Sequence, residues 1–461
     1  MATIRQRPLF SWQQVDAASD LQRLRLVVEA MPDESLMRTL EQPRGRGRDD
    51  YPIRPMWNAL LAGIVFQHPS AAALLRELRR NAELRQVCGF DPLLGLAATP
   101  TEDAFGRFLG LVIEQQAQVL DRFHRLVAAL AQVLPDLGQK LAVDSKAIAS
   151  AGKPVKDEAK RADPDGRRDL DADWGVKTYQ GKRADGTTWE KVVKWFGYKL
   201  HLVVDSTYEL PLGFSVTAAS TSDPTQLLPL IEQLRQQHPD VAAQATECAA
   251  DKAYDSGELK GKLFDDYGIR PFIDHRRLWK DEKDEPRPLF PDRVDVFLYD
   301  ELGRVYCQCP SERRGEDERR PLAFVGFEAD RQTLKYRCPA AYFDFECKGR
   351  AECERCSPLH VGEYGRVVRV PLSLDRRIFT PTPRPTPKWE QAYDCRTAVE
   401  RVNARIDRVL GFEQHFIRGL EKMTTRVTLA LVVVLAMALG RIHANQQDLM
   451  RSLTAPAPLA A

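Results

Sequence analysis

The sequence predicts an α/β protein: a mixed-sheet core set between helical regions and interrupted by a cysteine-rich insertion. Three observations lead there. Between residues 136 and 274, short apolar runs alternate with helical stripes, the order that builds a mixed sheet covered by helices. The flanking stretches, 1–135 and 391–445, carry their apolar residues at helical spacing. Six of the nine cysteines fall between 275 and 390, where the alternation stops.

Length and composition bound the function. At 461 residues the chain is too long for one ordinary core and suggests two or three domains. With 67 Lys+Arg against 65 Asp+Glu its formal charge is +2, which excludes a uniformly basic nucleic-acid binder but not a local basic groove. The first thirty residues hold Arg5, Arg7, Asp16, Asp20, Arg23 and Arg25 and no apolar core of a signal peptide. The longest apolar run, Val427 to Leu439, is short of the ~20 residues that span a bilayer and reads as a buried helix. A cytoplasmic, nucleoid-associated protein with reduced or metal-bound thiols is expected, with no membrane partner.

The N-terminal helical region, 1–135, shows stripes at Leu21, Leu24 and Val28, at Leu60, Leu61, Ile64 and Val65, and at Phe105, Phe108, Leu109 and Val112. Pro100-Thr101-Glu102-Asp103 reads as a helix start. No chemical motif stands out, so this region is expected to pack, to dock DNA or to dimerise.

The core follows in 136–274. Leu141 to Asp144 reads as a buried strand ending in a carboxylate. A polar stretch from Ala151 to about Lys191 reads as a loop. Trp195–Asp205 and Leu210–Ala219 form a hairpin around 206–209. Leu227, Leu230, Ile231 and Leu234 mark a helix, Cys248 to Asp251 a second strand ending in a carboxylate, and Leu259–Tyr267 another helix; Arg270–Ile273 is one more strand. Residues 275–390 then break the order, ending in Pro381, Pro383, Pro385 and Pro387, a stiff extended return. In 391–445, Val399, Val402, Ile406, Val409 and Leu410 make one apolar stripe, and 446–461 is a tail.

Chemistry concentrates on three carboxylates. Asp144 and Asp251, ending neighbouring strands, are expected at one rim of the sheet, with Glu400 as a third candidate on the helix after the insertion. Converging carboxylates repel and raise one another's pKa unless cations neutralise them. Hard oxygen ligands suit Mg²⁺ or Mn²⁺, and two such ions can clamp the attacking and leaving oxygens of a phosphoryl transfer. One aspartate alone would be an ordinary strand end; its flanking residues make the difference.

Those flanks are Ala142-Val143-Asp144-Ser145-Lys146, then Phe196-Gly197-Tyr198-Lys199-Leu200-His201, then Ala250-Asp251-Lys252-Ala253-Tyr254-Asp255, and finally Tyr393-x2-Arg396-x3-Glu400. In order and placement, over about residues 50 to 445, they resemble the DDE transposases of bacterial insertion sequences, within the subgroup carrying a Tyr–Arg–Glu–Lys signature. The resemblance implies an RNase H-like catalytic core, metal binding by Asp144, Asp251 and Glu400, and cut-and-paste or related transposition.

One position departs from that signature: seven residues after Glu400, where the subgroup has lysine, stands Asp407. On one continuous helix, 393, 396, 400 and 407 would share a face, and Arg408, roughly 80° round, is the expected substitute contact. Arg396 and Tyr393 are expected on a phosphate beside the cut, although Arg396 could equally form an i,i+4 ion pair with Glu400. Lys199 and Lys252, near strand ends, are further DNA candidates; His201, facing the same side as Lys199, reads as structural.

The cysteines form a second motif. Cys338-x8-Cys347-x5-Cys353-x2-Cys356 ends in a C-x2-C pair of the kind that grips zinc, and is expected to hold a structural Zn²⁺. Cys307-x-Cys309 upstream leaves more than one set of four available. Cys88, Cys248 and Cys395 read as packing residues.

The expected function is a DNA transposase that cuts at element ends and joins the 3′-OH to target DNA. Its partners would be double-stranded DNA (terminal inverted repeats and target) and a second copy in a homodimeric synapse. Two alternatives stand beside it: an RNase H-like nuclease without strand transfer, and a catalytically inactive zinc-containing DNA-binding regulator. A local charge of +6 between Arg366 and Arg426 marks a candidate DNA groove beside Glu400.

Overall fold

The computed structural model describes residues 19–44, 51–154, 167–183, 185–279, 285–292, 297–309, 318–346, 353 and 363–456. The described residues open with seven α-helices: α1 (Ser19–Ala30), α2 (Glu34–Glu41), α3 (Ile53–Val65), α4 (Ala71–Arg80), α5 (Ala82–Cys88), α6 (Glu102–Glu114) and α7 (Gln116–Val133). The start of α6 is the one the sequence marks: the Thr101 hydroxyl accepts from the Ala104 N–H at 3.2 Å, and Glu102 and Asp103 face the positive end of the helix.

A six-stranded mixed sheet follows, built from β1 (Lys140–Ala149), β2 (Asp173–Lys182), β3 (Thr188–Asp205), β4 (Leu210–Ala218), β5 (Glu247–Ala250) and β6 (Arg270–Ile273). β3 pairs antiparallel with β1, β2 and β4, whereas β1–β5 and β5–β6 are parallel. The parallel steps carry helices: α8 (Pro224–Gln237) and α9 (Pro239–Ala243) lead into β5, and α10 (Gly257–Asp265) into β6. This is the strand, hairpin, helix, strand, helix, strand order read from the sequence.

Two readings need correction. Asp144 does not end its strand; β1 continues to Ala149 because 145–149 find partners along 197–201 of β3. And the polar stretch 151–191 is not all loop. Its second half pairs over ten positions, from Asp173–Gly197 to Lys182–Thr188, as a long ribbon. The turn chemistry was present: Arg183 N–H donates to the Thr187 carbonyl at 2.8 Å, and Gly186 takes the left-handed φ of +85° that the turn requires.

The insertion makes two small sheets. One contains β7 (Arg287–Pro288), β8 (Phe297–Tyr299), β9 (Val305–Cys309) and β10 (Glu318–Pro321); the other contains β11 (Ala323–Glu328), β12 (Thr333–Arg337) and β13 (Val367–Pro371), with α11 (Pro339–Phe343) between the last two. They share a separate core of Leu289, Phe297, Val305, Leu334, Val368 and Phe379, onto which Phe264 of α10 packs. Pro381 and Pro383 run buried before α12 (Pro387–Asp394) and α13 (Thr397–Leu410).

The chain closes with α14 (Leu420–His443), long and apolar enough by composition to cross a membrane but packed inside the fold against α7, α1, α3, α6 and β4. Through it, one hydrophobic core runs from Leu24 and Trp57 of the N-terminal helices to Val143 and Leu202 of the sheet. The buried-helix reading of 427–439 therefore holds, and the helix anchors the N-terminal helices to the core.

Candidate functional site

Parallel pairing brings the first two carboxylates together. Val143 of β1 is in register with Ala250 of β5, and Asp144 and Asp251 each lie one residue further on. Neighbouring strands stand about 4.8 Å apart, so these two side chains leave the sheet side by side. Asp144 is half-buried and accepts the Ser145 N–H at 2.7 Å; Asp251 caps a short turn by accepting the Ala253 N–H at 2.7 Å.

A third carboxylate joins them that sequence reading missed. Asp223, at the start of α8, acts on Asp144 together with Asp251, and burial plus these charges push the Asp144 carboxyl up to about 6; the Lys177 ammonium opposes the rise. All three aspartates also bear on buried Tyr254, whose hydroxyl has no hydrogen-bond partner among the described residues. The signal for Asp223 was Asp-Pro at a helix start, which sequence alone reads as a cap. Half-buried carboxylates beside an orphaned hydroxyl have the hard oxygen-donor chemistry that suits a divalent cation, with Asp223 already paired to Lys199.

Glu400 is held differently. Its carboxylate pairs with Arg396 at 2.6 Å, the i,i+4 arrangement, and is half exposed. Yet α13 packs on β1 and is pinned there: Lys146 Nζ lies 2.6 Å from Asp407 and 2.8 Å from Glu413. Asp144 sits two residues, about 7 Å, before Lys146 on the same strand face. Glu400 sits seven residues, about 10 Å, before Asp407 on nearly the same helix face. Lys146 and Asp407 thus tie the strand of Asp144 to the helix of Glu400. Among the described residues, no three His, Cys, Asp or Glu side chains stand close enough to hold a metal ion.

The signature residues do not lie on one continuous helix. The chain breaks at Cys395 and Arg396, where the bonds shorten to i→i−3, between α12 and α13. Across the break the side chains still connect. Trp389 and Tyr393 stack at 4.7 Å, Arg384 lies over Trp389 and Arg396 over Tyr393, and Asp251 bears on the Tyr393 hydroxyl. Arg408 and Lys252 are exposed. Lys199 is taken up internally instead, donating to Asp223 and to the Thr221 carbonyl, both at 2.8 Å. His201 is fully buried, bonded to the Thr217 hydroxyl at 2.9 Å, and burial pushes it down to about 4, in keeping with a structural role.

The basic stretch 366–426 is partly spent on internal pairs. Arg369 holds Glu328, Arg376 holds Asp265, Arg377 holds Asp255 and Glu301, and Arg384 holds Asp274. Arg401 and Arg405 share Glu209, and Arg426 caps the carbonyls of Gly411, Phe412 and Gln414. Six of its thirteen cations thus have acidic partners from elsewhere in the chain, so the +6 count overstates the charge left free there.

Of the expected zinc ligands, Cys347 and Cys356 lie outside the described residues. Cys338 and Cys353 line a cavity of about 30 Å³ with Cys307, which the spacing placed upstream of the quartet, and with Arg320 and Arg366. Cys88 and Cys248 are buried packing residues, as expected; Cys395 sits half-exposed at the helix break.

A family model described as "Transposase DDE domain" matches residues 136–436. A second, "Transposase domain (DUF772)", matches residues 12–111. No curated protein matches the chain.

Proposed function

The chain belongs to the DDE-domain transposases, RNase H-like enzymes that act on DNA and generally use divalent metal ions, and on that premise we propose that it cuts DNA at the ends of a mobile element and joins the freed 3′-OH to target DNA. The observation that carries this reading is the juxtaposition of Asp144 and Asp251 on adjacent parallel strands, with burial and mutual repulsion raising Asp144.

Asp144, Asp251 and Glu400 would hold two Mg²⁺ or Mn²⁺ ions, which supply the electrostatic clamp on the attacking and leaving oxygens. Glu400 reaches the aspartates once its ion pair with Arg396 opens, and the released guanidinium is then available to a phosphate beside the cut. Tyr393, stiffened by its stack on Trp389, borders the same phosphate, and exposed Lys252 and Arg408 contact the flanking backbone. The N-terminal helices serve end recognition or pairing, and a homodimer holds two ends in synapsis. A structural zinc in the insertion rests on the C-x2-C spacing of Cys353 and Cys356.

Labelled DNA flanking the reading frame, incubated with protein, Mg²⁺ and a target plasmid, tests this. Joined product supports transposition. Hydrolysed ends alone support a nuclease, and biological activity undiminished by Asp144→Ala supports a regulator.

A further inference from the structure

The β2–β3 ribbon is an extended exposed feature that the proposed chemistry leaves without a role. It projects ten paired positions, about 33 Å, and only its base joins the core sheet. Isolated two-stranded ribbons are marginal in water, and exposed apolar side chains on one call for a partner. Here Trp174, Val176, Tyr179, Trp189, Val192 and Val193 are all exposed.

One face is built for flatness. A Cβ at Gly175 would lie 2.3 Å from the Trp195 ring, and one at Gly181 would lie 2.6 Å from the Trp189 ring, so glycine alone lets each indole lie across the neighbouring strand. Between these rings, cross-strand pairing sets Lys177 opposite Val193 and Tyr179 opposite Lys191, with the Lys177 ammonium 5.7 Å over the Tyr179 ring. Lys194 and, at the tip, Arg183 are exposed as well. Cations interleaved with flat aromatic faces suit phosphates together with sugars and bases. The width of a two-stranded ribbon suits the duplex major groove. Position agrees with chemistry: Lys177 is close enough to bear on the Asp144 carboxyl, which puts the ribbon beside the carboxylate site. The sequence's own candidate, the 366–426 stretch, is partly consumed internally, and the ribbon's cations add to what it leaves.

Building on the proposed DNA chemistry, we propose that the β2–β3 ribbon is a DNA-binding arm. It lies in a groove of the duplex presented to Asp144 and Asp251, with Lys177, Lys191, Lys194 and Arg183 on phosphates and Tyr179 and Trp189 against the sugars and bases.

The test is fluorescence anisotropy of the full-length protein on a fluorescein-labelled 40-bp duplex, in EDTA, over a range of KCl concentrations. Each lost phosphate contact lowers the slope of log K against log[salt] by about 0.9, so Lys191→Ala/Lys194→Ala should lower it by about 1.8. Trp189→Ala should weaken binding about tenfold or more at every salt concentration with the slope unchanged. Unaltered melting temperatures would show that both variants fold. If wild type binds and both variants match its affinity and slope, the arm is refuted while the proposed function stands. Failure of wild type to bind at all would overturn both.

Discussion

The ammonium of Lys146 lies 2.6 Å from the carboxylate of Asp407, tying β1 to α13. Where the resemblance leads one to expect lysine on the helix, the cation comes from the strand and the helix supplies the acid. The position is therefore a structural tie between the strand of Asp144 and the helix of Glu400, both ends of it largely buried.

Breaking that tie has a distinctive signature. Asp407→Ala or Lys146→Ala should each destabilise the protein by about 1–3 kcal/mol, as loss of one partner of a part-buried pair does, and lower DNA cleavage together with stability. The exchanged pair Lys146→Asp/Asp407→Lys should recover part of both. Chemical denaturation and cleavage assays on the four proteins measure it; a double variant no better than the worse single would argue against a register role.

Asp144 supplies a stability test. Its folded-state pKa of about 6 lies above the unfolded value, so the charged form opposes folding at pH 7 and stability rises as pH falls through 6. Asp144→Asn removes that charge and should stabilise the metal-free protein by about 1–3 kcal/mol. Adding Mg²⁺ should narrow the gap by stabilising wild type alone. Melting curves in EDTA and in Mg²⁺ read both effects, and a variant less stable than wild type in EDTA would contradict them.

Acid should loosen the seam between the N-terminal helices and the core. His124 Nδ1 of α7 and His238 Nε2, just after α8, share a proton at 3.0 Å, and burial pushes His238 down to about 4. Both folded-state pKa values are depressed, so the unfolded chain binds more protons below pH 6.5 and stability falls as pH drops toward 4. The slope is about 1.4 kcal/mol per pH unit for each residue. Urea unfolding at pH 7.5, 6.0 and 5.0 should show this, and His238→Gln should flatten the curve; parallel curves would exclude the pair as its source.

The insertion is fastened by buried charges. Lys260 Nζ donates to Asp255 at 2.7 Å and to the Arg377 carbonyl at 2.9 Å, while the Arg377 guanidinium bridges Asp255 and Glu301. Asp255→Ala strands Lys260 in the interior and should cost about 3–5 kcal/mol, more than Lys260→Met, which leaves Asp255 with Arg377. Limited proteolysis should then cut first within 275–390. Equal stability of Asp255→Ala and wild type would refute the fastening.

What the sequence revealed follows from the range of the forces involved. The strand before Asp251, the hairpin ending at Ala218 and the helices flanking Glu400 announce themselves through local periodicity, and the carboxylate pair follows from two apolar runs ending alike. The β2–β3 ribbon escaped because its faces are exposed, so its alternation carries cations and aromatics rather than a clean apolar stripe. Asp223 and the Lys146–Asp407 tie were invisible for another reason: they join residues far apart in sequence, and no spacing rule connects them. The arginine-rich stretch misled because charge counts do not reveal which cations have partners.

The central claim is that Glu400 completes the site begun by Asp144 and Asp251. The rate of Mg²⁺-dependent cleavage of element-end DNA, compared among wild type, Asp144→Asn, Asp251→Asn, Glu400→Gln and Asp223→Asn, tests it most directly. The first three variants should each lose at least about a thousandfold while remaining folded, with Asp223→Asn affected far less. Glu400→Gln within a few-fold of wild type, with Asp223→Asn inactive, would contradict the claim and pass the third position to Asp223.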